Sequence, residues 1–130
     1  MPGSGARGVD ARLRAARLRY RRVSPLELVG ELAAGALLID TRPAALREQF
    51  GTIRGAIALE RNVLEWRLDP TCDARIVEAD GWDRRIVLHC QEGYASSLAV
   101  ASLLDLGLTN ITDLDGGIAA WRDAGLPLLA

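Results

Sequence analysis

Ile86-Val87-Leu88-His89-Cys90-Gln91-Glu92-Gly93-Tyr94-Ala95-Ser96 is the stretch on which the reading of this chain turns. Four residues of strand character run into a thiol, and a polar turn containing Gly93 follows it. Beyond the turn, Leu98, Ala99, Ala101, Ser102 and Leu106 predict a helix with a largely apolar surface, closed by Gly107. A short strand with no wet face is buried on both sides, as in a parallel sheet. Cys90 is therefore expected at the carboxyl end of a strand and against the amino end of a helix.

The same alternation extends in both directions. Ser24-Pro25-Leu26-Glu27 is a helix start: Ser24 caps, Pro25 fits the first helical position and Glu27 completes a capping box. That helix runs through Leu28, Val29 and Leu32 to a stop at Gly35. Ala36-Leu37-Leu38-Ile39 predicts a second buried strand, ending at Asp40-Thr41-Arg42. A short helix over 43–50, the turn-rich Gly51-Thr52-Ile53-Arg54-Gly55 and a short strand over 57–59 follow. Residues 62–80 mix Leu64, Trp66 and Leu68 with charges and Pro70, which predicts short helices. Residues 111–114 give a further strand, and Gly116-Gly117 opens a last helix with Ala120 and Trp121, ending before Gly125 and Pro127. Strands alternating with helices imply an α/β fold, a parallel sheet with helices on both faces. Ligands then bind beyond the carboxyl ends of the strands, where Asp40-Thr41-Arg42 and Cys90 fall.

A length of 130 residues suits one domain with a real core, and 49% hydrophobic with 25% charged residues is the balance of a globular protein. No run of about eighteen apolar residues is present, and no secretory signal pattern. The expectation is a cytoplasmic protein with no membrane partner. All basic residues are arginines. Residues 1–23 hold seven of them (Arg7, Arg12, Arg14, Arg17, Arg19, Arg21, Arg22) against one acid, Asp10. Residues 1–8 read as a flexible lead-in, and 10–20 as a helix with Leu13, Ala16 and Tyr20 on one face. The division is thus a basic arm, 1–23, and a domain, 24–130. We read the arm as a solvated helix packed beside the domain, so no nucleic acid is expected. Cys72 and Cys90 show no metal-ligand spacing, and the sequence leaves a disulfide between them open. Cys72, beside Pro70 in a polar stretch, is read as incidental.

A thiol at a helix N-terminus meets backbone N–H groups and the positive end of the helix dipole. Such settings lower a free thiol from its usual pKa of about 8.5 and favour the nucleophilic thiolate. Gly93 would let the loop curl so that its amides form an anion nest. A strand-end cysteine by itself would be read as structural; the loop and the helix after it argue for a reactive one.

Three segments, in order, resemble the rhodanese family. Leu38-Ile39-Asp40-Thr41-Arg42, continued by Gly51-Thr52-Ile53-Arg54-Gly55-Ala56-Ile57, is similar to its amino-terminal signature. Cys90 to Ser96 with the helix up to Gly107 is similar to its active-site loop. Leu114-Asp115-Gly116-Gly117-Ile118-Ala119-Ala120-Trp121, then Gly125-Leu126-Pro127, is similar to its closing signature. The resemblance spans residues 24–130. It implies a rhodanese-like open parallel five-stranded sheet with helices on both faces, and a single-domain sulfurtransferase of the thiosulfate sulfurtransferase type. Cys90 would be the catalytic persulfide carrier, and Gln91, Glu92, Gly93, Tyr94, Ala95 and Ser96 the anion-binding loop. The donor would be thiosulfate or a small-molecule persulfide; the acceptor would be a thiol or cyanide, with a sulfur-carrier protein as a further partner. No metal or organic cofactor is implied. The alternative is a non-catalytic, persulfide-sensing or binding module of the same fold.

Two departures bear on the donor. Thr52 stands where the family commonly has histidine, a structural position. Ala95 stands where many single-domain members carry arginine and others threonine, and Glu92 adds a negative charge. Both disfavour the thiosulfate dianion, unless Arg42 and Arg54 face the pocket. Asp40 and Arg42 are candidates for supporting the loop or reaching substrate, and Trp66 and Arg67 for one wall of the pocket. His89-Cys90 echoes the HCx5R loop of cysteine phosphatases, but that loop needs arginine six positions after the cysteine, where this chain has Ser96. His89, next to Cys90 on a strand, points away from it and is read as structural.

Overall fold

The computed structural model describes residues 8–130, so all of the lead-in expected over 1–8 except Gly8 lies outside the described residues. Helix α1 (Val9–Arg17) is followed by α2 (Pro25–Ala33), β1 (Leu37–Asp40), α3 (Ala44–Phe50) and β2 (Ile57–Ala58). A 3₁₀ turn, Arg61–Val63, leads into α4 (Leu64–Leu68), then β3 (Ile86–His89), α5 (Ala95–Leu106), β4 (Ile111–Asp113) and α6 (Gly117–Asp123). The strands form one parallel sheet in the order β2-β1-β3-β4. In the central pair Leu37 faces Ile86 and Asp40 faces His89, which brings the two strand ends level.

Side-chain alternation explains why both faces are apolar. Leu37, Ile39, Ile86, Leu88 and Ile111 point into one core layer, packed on Leu64 and Leu68 of α4 and on Ala99, Val100 and Leu103 of α5. Leu38 and Val87, with Leu114 just beyond β4, point into the other, with Leu28 of α2 and Ile118 and Trp121 of α6. The capping box forms as read: Glu27 N–H donates to Ser24 Oγ (3.1 Å) and Ser24 N–H to Glu27 Oε1 (2.9 Å).

Among the described residues the sheet has four strands, not the five expected. The position outside β4 is held by Val23 alone, in a single parallel bridge to Leu114. Val23 N–H donates to Asp113 O (3.1 Å), and Val23 O accepts from Asp115 N–H (2.8 Å). Ser24 already caps α2 at the next residue, which leaves no length for a strand. The expected helix over 10–20 is also shorter, because the chain leaves α1 after Arg17 and Tyr20 turns inward to Asp113. Leu13 and Ala16 bury against α5, and Arg19 pairs with Asp105 (2.8 Å). At the other end of the chain, Thr52 and Leu129 exchange backbone hydrogen bonds. No helix among the described residues is long and apolar enough to cross a membrane.

Candidate active site

Cys90 leaves β3 beside the end of β1, where Thr41 N–H and Oγ1 both donate to His89 O at 3.0 Å. The loop after it is held from two sides. On one, α6 begins against it: Ile118 N–H donates to Cys90 O and Ala119 N–H to Gln91 O, both at 3.0 Å. Gly117 has φ +64, and a Cβ there would lie 2.6 Å from Gln91 O, so the close approach requires glycine. On the other side Arg42, 2% exposed, donates to both oxygens of Asp40 (2.9 and 2.7 Å), to Gln91 Oε1 (2.9 Å) and to Gly51 O (2.8 Å). Arg42 is thus a strut between strand end and loop. Burial alone would raise the Asp40 carboxyl, but the bonds from Arg42 outweigh it and hold the group below the usual carboxylate value.

Gly93, at φ +86, turns its N–H onto Cys90 Sγ at 3.2 Å. The thiol donates to Ser96 Oγ (3.4 Å) in the first turn of α5, and Ser96 Oγ donates to Asp113 Oδ2 (2.7 Å). Asp113 is fully buried and accepts also from Ser97 Oγ (2.8 Å), Tyr20 Oη (3.0 Å) and Arg22 (2.9 and 3.1 Å). Burial and then the Asp113 charge push the Tyr20 phenol up, so it stays a donor. Burial opposes the charge on Arg22, but the hydrogen bonds and charge of Asp113 more than offset this and raise the guanidinium. Arg17 Nη2 and Arg22 Nη2 both donate to Gly93 O, at 2.7 and 2.8 Å.

In front of the sulfur lies a cleft of about 330 Å³, lined by the loop residues Cys90, Gln91, Glu92, Tyr94 and Ala95 and by Thr41, Arg42, Pro43, Leu46 and Arg61. Cys90 is 6% exposed on its floor. A hollow of about 430 Å³ elsewhere holds Cys72, but its sulfur meets only Ala74 N–H (3.4 Å), with no strand end or long helix behind it. Both cysteines are free thiols. His89 is fully buried and kept neutral, since burial pulls its pKa down against the opposing charge of Asp40. Its Nδ1 faces Cys90 O (3.3 Å), and Nε2 has no hydrogen-bond partner.

The remaining candidates lie elsewhere. Arg54 is exposed beside Val29 and Trp121, in a separate hollow that shares no residue with the cleft. Trp66 is exposed on α4 and Arg67 donates to Ala74 O (2.7 Å); neither lines the cleft. Arg61, on the 3₁₀ turn, and Leu46, on α3, do line it but have no local signature, because tertiary packing brings the two elements to the cleft. Asp113 did leave a signal: an acid inside the apolar run Ile111-Thr112-Asp113-Leu114 requires a buried partner. Among the described residues no three His, Cys, Asp or Glu side chains converge as metal ligands would.

The model for the family described as Rhodanese-like domain matches residues 24–124. A protein named sulfurtransferase from Allochromatium vinosum is 33% identical over 94 residues, 72% of this chain and 78% of its own length. Thiosulfate sulfurtransferase GlpE of Pseudomonas entomophila is 29% identical over 104 residues, 79% of this chain and 85% of its own. Among solved structures, a Rhodopseudomonas palustris protein of unknown function, described as a possible tyrosine phosphatase, superposes with a TM-score of 0.85 at 29% identity, over 98% of each chain.

Proposed function

The chain belongs to the rhodanese-like domain family, and on that premise we propose that it is a sulfurtransferase in which Cys90 carries the transferred sulfur as a persulfide. One observation carries the reading: the Cys90 sulfur lies on the floor of an open cleft, at the N-terminus of α5, and accepts the Gly93 N–H. The Cys90 thiolate attacks the outer sulfur of a donor R–S–S⁻, forming a new S–S bond. The donor's own S–S bond breaks, and R–S⁻ leaves with the electron pair. A thiol or cyanide acceptor then attacks the outer sulfur of the persulfide, and Cys90 leaves as thiolate. The Gly93 amide faces the sulfur that carries the charge.

A small-molecule persulfide fits the cleft better than thiosulfate. Position 95 offers a methyl group, Glu92 adds a negative charge and Arg42 commits four of its five N–H donors to Asp40, Gln91 and Gly51. A phosphatase has less support, since Ser96 holds the position of the phosphate-clamping arginine and donates to Asp113.

Intact-mass measurement after incubation with glutathione persulfide, thiosulfate or mercaptopyruvate tests the proposal. One added sulfur is expected on the parent chain, absent in Cys90→Ser and removed by cyanide, with the persulfide donor loading fastest. No added sulfur from any donor would point instead to a binding module that keeps the fold.

A further inference from the structure

The loop's glycine is gripped by residues from outside the matched domain. Gly93 O accepts two charged donors, Arg17 Nη2 at 2.7 Å and Arg22 Nη2 at 2.8 Å, and the same glycine gives its N–H to Cys90 Sγ. Both arginines precede residue 24, where the family model begins. The two guanidiniums differ in their charge balance. Arg22 is neutralised by Asp113 and by Asp115 (2.9 Å). Arg17 has no carboxylate partner among the described residues; it donates to Ser97 Oγ (2.9 Å) and Gly93 O and stands 5.8 Å from the Tyr94 ring centroid. Other charges around the loop are paired (Asp40 with Arg42, Arg61 with Glu65), buried and neutral (His89), negative (Glu92), or on the cleft side of it (Arg47, which donates to Arg42 O).

We propose that Arg17 and Arg22 are positioning residues of the Cys90 loop, and that Arg17 supplies from behind it the positive charge that Ala95 cannot supply from within. Two charge-assisted bonds to one carbonyl fix the turn that aims the Gly93 amide at the sulfur. A guanidinium without a counter-ion behind that turn favours an anionic sulfur over a neutral one. The functional unit thus begins at α1. The Rhodopseudomonas palustris structure, aligned over 98% of this chain, has a counterpart of that segment. The proposal deepens the sulfurtransferase reading and rests on it for its consequence; its test is separate.

The test uses the full chain in a Cys72→Ser background and follows alkylation of Cys90 by iodoacetamide as a function of pH. Arg17→Met is expected to slow alkylation near neutrality about 3- to 10-fold and to move the midpoint of the pH profile up. Arg17→Lys should restore the midpoint, Arg22→Met should act in the same direction as Arg17→Met, and the exposed Arg14→Met should change nothing. An Arg17→Met profile superposing on the parent overturns the proposal. So does a slower rate with an unmoved midpoint that follows a fall in melting temperature and is not rescued by lysine. Because alkylation reads the thiol alone, a parent chain that transfers no sulfur would defeat the persulfide reading without altering this result.

Discussion

Backbone groups hold the sulfur loop, and single glycines show how closely. Gly117 lets the start of α6 reach the carbonyls of Cys90 and Gln91; a Cβ there would stand 2.7 and 2.6 Å from those oxygens. Gly125 has a similar φ, +77, but nothing within 4 Å of where its Cβ would be. Gly117→Ala is therefore expected to cost about 1–3 kcal/mol and to reduce sulfur loading at least several-fold. Gly125→Ala should cost about 1 kcal/mol, from its backbone conformation alone, and leave loading intact. Urea unfolding and persulfide formation measured side by side decide this. Equal effects of the two variants would mean that close approach to the loop is not what Gly117 provides.

At the scale of elements, local rules succeeded where the chain's own neighbours set the structure. The capping box of α2 follows from Ser24 and Glu27 alone, and Ser24→Ala is expected to remove about 1 kcal/mol in thermal or urea melts, with the fold unchanged. A loss near zero would show that water replaces the cap. β3, the loop and α5 were equally legible, because an apolar run, a glycine turn and a helical pattern follow one another without a break. α1 was only half legible: Tyr20 is in helical phase with Leu13 and Ala16, but Asp113, remote in sequence, draws it out of the helix. The missing fifth strand has the same kind of cause, a cap placed directly after Val23. Within the site, Cys90 and its loop were readable from order and spacing. The grip of Arg17 and Arg22 on Gly93 was not, since a run of arginines at 12–22 looks like a solvated face until the sheet places Asp113 behind it.

Across the whole molecule, stability should depend on acidity with a definite sign. His89 is held below its usual 6.5 by burial, Asp40 below its usual 3.8 because Arg42 outweighs burial, and Glu27 is lowered to about 2 by the Ser24 N–H and Arg21. All three folded values lie below the unfolded ones, so the unfolded chain takes up protons first. Stability is complete above the unfolded values and is lost as pH falls. The melting temperature should begin to fall near pH 6.5, and His89→Asn should delay the onset into the carboxylate range. A parent profile that stays flat down to 4.5 would refute the assignment to His89. The recessed sulfur has its own consequence at this scale. Cys90 is only 6% exposed, and under the proposed chemistry an added sulfur would lengthen its side chain by about 2 Å. Loaded and empty forms would then differ in reach with no change of fold required. In the proposed transfer the S–S bond would itself be the moving part, on a scaffold that need not move.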